Sequence, residues 1–259
     1  MNRGCKIMSV CHNFQGRLFV VTGSARGLGL AMAKRLVASN ARVVLTDIDE
    51  KGLNLVVSDL GEAAYPRKND ITDTQSIPAL IKEIEANIGP IFGLVNNAGI
   101  FNKKTGWEIS NDEWETIVKV NLSGTLAMTR ECLQYMRPRK EGSIVMISSL
   151  AGLTGLPTSI GYVTTKTAVI GMARSLATDL GPDNIRVNAI CPGVIDTEMT
   201  RKVFEGDPGR LAKLQSRISL PRLAQPEEIA AMVAFLCSDD AAYVTGQAIA
   251  VDGGFASGF

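Results

Sequence analysis

The apolar, β-branched run Leu18–Thr22 passes directly into Gly23-Ser24-Ala25-Arg26-Gly27-Leu28-Gly29, and a helical pattern follows over Leu28–Ser39. A strand that turns into a helix through three glycines constrains the fold more than any other feature of the chain. The glycines permit a tight turn and a close backbone approach, and the helix N-terminus leaves N–H groups free for an anion. A parallel partner strand requires a crossover of this kind, and Arg42–Thr46 supplies one.

The alternation continues to the end of the chain. Ile91–Asn96, Ser143–Ser149, Ile185–Cys191 and Ala248–Val251 read as further strands, with helices over Asp73–Asn87, Asn111–Met136, Gly161–Asp179 and Pro226–Cys237. This is the pattern of an α/β fold: a doubly wound, mostly parallel sheet with helices on both faces. No proline-rich or serine-rich linker and no internal repeat divides residues 14–259, which read as one domain preceded by a flexible extension over residues 1–13. Val194–Arg222 breaks the rhythm. It is long, polar and placed just after a strand end, where ligands bind in open α/β sheets, so it reads as a lid over about residues 194–222.

Composition narrows the function. A net charge of +1, from 27 basic and 26 acidic residues, gives no electrostatic case for nucleic acid or an anionic membrane. No apolar run approaches the ~18 residues that span a bilayer, and Met1–Asn13 lacks the apolar core of a secretory signal. Five scattered cysteines (Cys5, Cys11, Cys132, Cys191, Cys237) form no metal-ligand spacing and read as free thiols in a reducing cytoplasm. The single histidine, His12, leaves a Ser-His-Asp triad or histidine zinc site almost no room.

The glycine turn has the spacing Gly-x3-Gly-x-Gly, which differs from the GxGxxG fingerprint, so a nucleotide and an ordinary strand-to-helix connection both remain readings of it. Asp47, at the end of the second strand and eighteen residues after Gly29, favours the nucleotide. A carboxylate there accepts both adenine-ribose hydroxyls and repels a 2′-phosphate, which predicts NAD rather than NADP. Its alternative role is to cap the turn before Glu50, and Arg26 in the glycine turn pulls the other way by favouring a phosphate.

Ser149 precedes Tyr162 by thirteen residues, and Lys166 follows it at i+4 on the same helical face. An alcohol gives up a hydride only as its hydroxyl proton leaves, so a base must stand at the carbinol oxygen. A phenolate near pH 7 needs a shift of roughly three units from the tyrosine value, about 4 kcal/mol. The Lys166 ammonium favours that phenolate, while Ser149 can orient the substrate oxygen. Taken singly these are a packed ring, a surface cation and a turn serine. Taken together they read as a nicotinamide-dependent oxidoreductase.

Thr22-Gly-x3-Gly-x-Gly29, Asn96-Asn97-Ala98-Gly99, Ser149, Tyr162-x3-Lys166 and Pro192-Gly193 resemble the short-chain dehydrogenase/reductase family in order and spacing, over about Phe14 to Gly254. The resemblance implies a Rossmann-type sheet of about seven strands and a homotetramer. It places Asp70 and Ile71 near the adenine, with Ile48 beside Asp47, and it lines the cofactor with Asn96, Asn97, Ala98, Gly99, Pro192, Gly193 and Ile195. Thr197 matches the threonine at the nicotinamide carboxamide. Asn121 joins the catalytic group as the anchor of a water relay, and Lys166 also holds the ribose.

The substrate is less legible. Arg201, Lys202, Arg210, Lys213, Arg217 and Arg222 in the lid suit either an acidic substrate or a solvated helical face paired with Glu198, Glu205 and Asp207. Lys103, Lys104 and Trp107 can reach the pocket rim, Trp107 stacking on a sugar or covering core surface. The reading preferred from sequence is interconversion of a secondary alcohol and a ketone on a sugar, polyol or similar metabolite. The resemblance offers 3-oxoacyl-carrier-protein reduction as the alternative, against which stand Asp47 and Asp183, the latter where those enzymes present a basic residue. A non-catalytic NAD-binding sensor or scaffold is a second alternative.

Overall fold

The computed structural model describes residues 12–205 and 208–257. Met1–Cys11, with Cys5 and Cys11, and Asp207 lie outside the described residues, as does the side chain of Arg210. Seven strands form one sheet in the order β3-β2-β1-β4-β5-β6-β7, and every ladder is parallel. They are β1 Leu18–Thr22, β2 Arg42–Asp47, β3 Ala64–Lys68, β4 Ile91–Asn96, β5 Gly142–Ile147, β6 Ile185–Pro192 and β7 Ala248–Val251. The chain reverses direction across the sheet between β1 and β4, which creates a crevice at their carboxyl ends.

Alternate residues of each strand feed two cores. Phe19, Val21, Val43, Leu45, Val145 and Ile190 pack on one face beneath α1 (Gly27–Ala38), α2 (Glu50–Leu60) and a helix at Pro226–Cys237. Leu18, Val20, Val44, Leu94, Ile144 and Val187 pack on the other, beneath α3 (Ile77–Asn87) and two later helices. Burial on both faces explains why the central strands read as continuous apolar runs.

Three expectations change. Strand β3 and helix α2 carry no clear sequence signal: β3 has Pro66 at its centre and is only partly buried, tolerable because it is an edge strand pairing with β2 alone. Asn111–Met136 is not one helix. It divides into α4 (Asn111–Val118), a π-helical turn Lys119–Gly124, and α5 (Thr125–Arg139). The helix expected from Asp73 starts at Ile77, because the Asp70 carboxylate and carbonyl hold Thr72 and Asp73 in turns.

The catalytic segment lies on α6 (Ile160–Leu180). The expected lid contains two short helices, α7 (Glu198–Phe204) and α8 (Pro208–Gln215), before α9 (Pro226–Cys237). Its base is stitched by Asp196 N–H to Ala224 O and Ala224 N–H to Val194 O, at 2.9 and 3.0 Å. At the other end His12 pairs with Asp240 at 2.9 Å, and Asn13 accepts from Gln15 and Asn40, so these two residues belong to the domain rather than to an extension.

Candidate active site

The carboxyl ends of β1, β2, β4, β5 and β6 deliver Gly23, Asp47, Asn97, Ser149 and Gly193 to the same edge of the sheet. Thr22 joins the ends of β1 and β4: its Oγ1 accepts from Asn97 N at 2.9 Å and Ala98 N at 3.0 Å. The Asn97 amide donates back to Thr22 O and Gly23 O, both at 2.9 Å. Gly23 has φ +63°, and a Cβ on Gly29 would overlap the Gly23 carbonyl oxygen, so both glycines are required by the turn itself.

Several residues read as cofactor contacts are therefore braces in their side chains. Ser24 is fully buried with its hydroxyl on Thr46 O, and the Asn96 amide donates to Thr129 at 2.9 Å. Ile71 is buried, Ile48 is exposed beside Asp47, and Asp70 is exposed, accepting from Thr72. Pro192 ends β6, the Gly193 N–H donates to Val251 O, and Ile195 is bridged to Ala224. Thr197 caps α7 by accepting from Thr200 N at 3.2 Å.

The residues present fit a dinucleotide. The first turn of α1, which includes Leu28, has neither an acidic residue nor a side-chain cap, leaving its N–H groups open to an anion. Asp47 does cap its turn, accepting from Ala25 N at 3.1 Å on one oxygen and from Asp49 N at 3.0 Å on the other. Each carboxylate oxygen keeps acceptor capacity, so the cap also pins the group that can receive ribose hydroxyls.

The catalytic candidates converge. Ser149 is buried, its Oγ accepts from Ala151 N at 3.1 Å, and it stands close enough to the Tyr162 phenol to act on that group's ionisation. Phe101 packs edge-on against the Tyr162 ring at 5.1 Å, and the Lys166 ammonium lies 5.7 Å from that ring's centroid. Lys166 is buried and donates to Ile147 O at 2.8 Å, while Ser148 ties α6 to the strand end by donating to Lys166 O at 2.7 Å. A side chain on Gly99 would sit 3.4 Å from Lys166 Nζ, so the absence of one keeps that approach open.

Burial pushes the Tyr162 phenol up, the nearby Ser149 hydroxyl opposing it in part. Burial also pushes the Lys166 ammonium down to about 8, opposed by the nearby Cys191 thiol. Both shifts penalise charge in a dry site.

Asn121 lies on the π-helical turn, a form that recurs at functional sites. Its amide accepts from Ile100 N at 2.8 Å and donates to Ile100 O at 3.0 Å and Thr165 Oγ1 at 3.2 Å. It thus fastens the segment after Gly99 to α6. Sequence reading missed Thr165, Phe101 and Ser148 as supports, although Thr165 stands inside the Tyr162-x3-Lys166 motif and Ser148 beside Ser149.

The lid resolves the question of its cations. Arg201 pairs with Asp196 at 3.0 Å, Lys202 with Glu198 at 2.7 Å and Arg222 with Glu228 at 2.7 Å, while Arg217 lies over the Phe255 ring at 4.4 Å. Lys104 pairs with Glu113 at 3.2 Å. Trp107 is 86% exposed and covers no core surface. Exposed Leu153, Ile160 and Met199 lie on segments that follow Ser149, precede Tyr162 and belong to α7.

Fold and site define a Rossmann-type nicotinamide oxidoreductase. A family model described as "Enoyl-(Acyl carrier protein) reductase" matches residues 23–256. The 3-oxoacyl-[acyl-carrier-protein] reductase FabG of Aquifex aeolicus is 38% identical over 93% of this chain and 97% of its own length. Among solved structures, a candidate gluconate dehydrogenase from Agrobacterium tumefaciens superposes with a TM-score of 0.92 at 30% identity, over 96% of this chain and 99% of that one. An actinorhodin polyketide ketoreductase solved with NADPH gives 0.89 at 33% identity, over 93% and 98%. The chain belongs to the short-chain dehydrogenase/reductase family.

Proposed function

We propose that this oxidoreductase interconverts a secondary alcohol and a ketone with NAD(H), Tyr162 serving as the general base. The observation that carries the reading is the convergence of buried Ser149, the buried Tyr162 phenol and the buried Lys166 ammonium, 5.7 Å from the Tyr162 ring centroid, at the carboxyl edge of the sheet. When bound, nicotinamide accepts or returns the hydride of the carbinol carbon. In oxidation, the Tyr162 phenolate takes the hydroxyl proton and Ser149 donates a hydrogen bond to the same oxygen, holding it as the carbonyl forms. The Lys166 ammonium, 5.7 Å from the Tyr162 ring centroid, would favour the phenolate by its charge and would hold the cofactor ribose. Asn121, fixed to Ile100 and Thr165, would anchor the water relay that the family resemblance implies.

Asp47 supports NAD over NADP, and the polyketide ketoreductase solved with NADPH is the counter-case among the structural neighbours. For the substrate, 3-oxoacyl compounds gain on sugars and polyols. The 38% identical relative is a 3-oxoacyl-carrier-protein reductase, Arg201, Lys202 and Arg222 of the lid are paired, and apolar Leu153, Ile160 and Met199 stand exposed around the catalytic segments. Asp183, bonded to Arg137 at 2.7 Å, still opposes docking of an acidic carrier there and favours a smaller thioester. The candidate gluconate dehydrogenase keeps the sugar-acid reading in play. The intact set of Asn121, Ser149, Tyr162 and Lys166 argues against a binding-only protein, which has no use for a base.

Assembly as a homotetramer is part of the same reading, on the family resemblance. Free, buried Cys132, Cys191 and Cys237 support a reducing, cytoplasmic setting. No helix among the described residues is long and apolar enough to cross a membrane. The deciding experiment follows NADH and NADPH absorbance with a short 3-oxoacyl thioester, a polyol and a sugar acid. Thioester turnover dependent on Tyr162 supports the proposal; turnover of the sugar acid or polyol alone reverses the substrate order; none with any of them returns the sensor reading.

A further inference from the structure

Two cations flank Asp47, the residue read as meeting the adenine ribose, and each faces an acid at the start of α2. Arg26, the one cation of the glycine turn, has its Nη1 3.9 Å from Asp49 Oδ2. Lys68 ends β3 in register with Asp47, and its ammonium lies 3.3 Å from Glu50. Asp49 is itself fixed: its Oδ1 accepts from Gly52 N at 3.0 Å as the cap of α2, and its N–H donates to Asp47 Oδ1 at 3.0 Å. A Cβ on Gly52 would lie 2.8 Å from Asp49 Oδ2 and 3.1 Å from Ala25 Cβ, so the bare glycine lets the acidic cap close on the glycine turn.

We infer that Asp49 and Glu50 are specificity-determining residues that withhold Arg26 and Lys68 from a cofactor phosphate. The inference rests on the NAD reading above and extends it. Asp47 selects NAD by receiving ribose hydroxyls, whereas Asp49 and Glu50 select it by neutralising the two cations that would reward NADP. The mechanism is repulsive as well as attractive, as specificity commonly requires.

The test is equilibrium binding of NAD+ and NADP+ to the full chain, by calorimetry, for wild type, Glu50→Gln, Asp49→Asn and Asp49→Asn/Glu50→Gln. Asparagine caps helices as well as aspartate, so the α2 N-terminus survives the change. Removing one charge near a phosphate should lower the ratio of NADP+ to NAD+ dissociation constants about 3- to 5-fold, and removing both about 10-fold or more. Adding Arg26→Gln to the double variant should restore most of the ratio, and 0.5 M salt should shrink every shift. Should Asp49→Asn unfold early, Glu50→Gln alone still has to give its 3-fold change. A ratio constant within twofold across all variants overturns the inference while leaving the NAD reading standing. A wild-type chain that binds NADP+ more tightly than NAD+ overturns the NAD reading itself.

Discussion

The glycine turn and the lid both surround the same crevice, yet they are held by different physics. Around Gly23 the contacts are short, buried and backbone-directed: Thr22 and Asn97 exchange hydrogen bonds, and Ser24 is sealed beneath them. The lid is held by exposed ion pairs, a stitched base and one small apolar cluster in which Ile218 packs with Leu150 and Phe255. Buried backbone bonds fix geometry, and breaking one leaves an unsatisfied group. Exposed ion pairs contribute little and rearrange cheaply. On the proposed function, the hydride chemistry, which tolerates little displacement, sits on the first kind of region, and substrate choice sits on the second.

The comparison breaks most sharply at the base. Tyr162→Phe should lower turnover about 10³-fold, within the range for a lost general base, while NAD+ affinity changes less than about twofold. Single-turnover kinetics with a calorimetric binding curve separates the two, and retained turnover would remove Tyr162 from its role. Lys166→Met tests whether the rigid region gives up stability for function. Turnover should fall about 10²-fold. The folded pKa of Lys166 is depressed to about 8, so at pH 7 the folded state carries an ammonium that burial disfavours, a cost of about 3 kcal/mol. Between pH 8 and 10.5 the unfolded chain binds more protons than the folded one, so this cost disappears as pH rises. The methionine variant should thus be at least as stable as wild type at pH 7 and lose its advantage towards pH 10, which urea titrations at several pH values would show.

The same division decides what could be read from sequence. The strand ends were legible because glycines, Asp47, Ser149, Tyr162 and Lys166 are residue types whose chemistry is tied to position, and the two-sided burial of β1, β4 and β5 left continuous apolar runs. Strand β3 was not, since its edge position allows Pro66, Arg67 and Lys68 where a central strand would not. The π-helical turn at Asn121 was hidden as well: no helix-breaking residue marks it, and the partner of its side chain, Ile100, lies 21 residues away. In the lid, only three-dimensional placement shows that Arg201, Lys202 and Arg222 have partners. The brace role of Thr22 and Asn97 was invisible for the same reason, although both positions were singled out.

Thr22→Val sharpens the contrast from the rigid side. It leaves the Asn97 and Ala98 N–H groups without their acceptor in a part-buried site, at a cost of about 2–3 kcal/mol, or a fall of roughly 4–10 °C in Tm for a chain of this size. Calorimetry measures it, and cofactor affinity should weaken in step because the glycine turn loses its tie to β4.

The lid gives the smallest effect. Arg201→Ala and Arg222→Ala each remove an exposed pair, to Asp196 and Glu228, worth less than about 1 kcal/mol, so Tm should move by no more than ~2–3 °C. If these guanidiniums only fasten the lid to itself, KM should change by less than about threefold, and equally for a neutral 3-oxoacyl thioester and for a sugar acid. A selective rise in KM for the acid would mean that the pairs open to receive a carboxylate, and the lid would then be a recognition surface that exchanges one acidic partner for another. Equal, small changes leave selectivity with the apolar side chains around Ser149 and Tyr162, which matches a region held loosely enough to close on chains of different length.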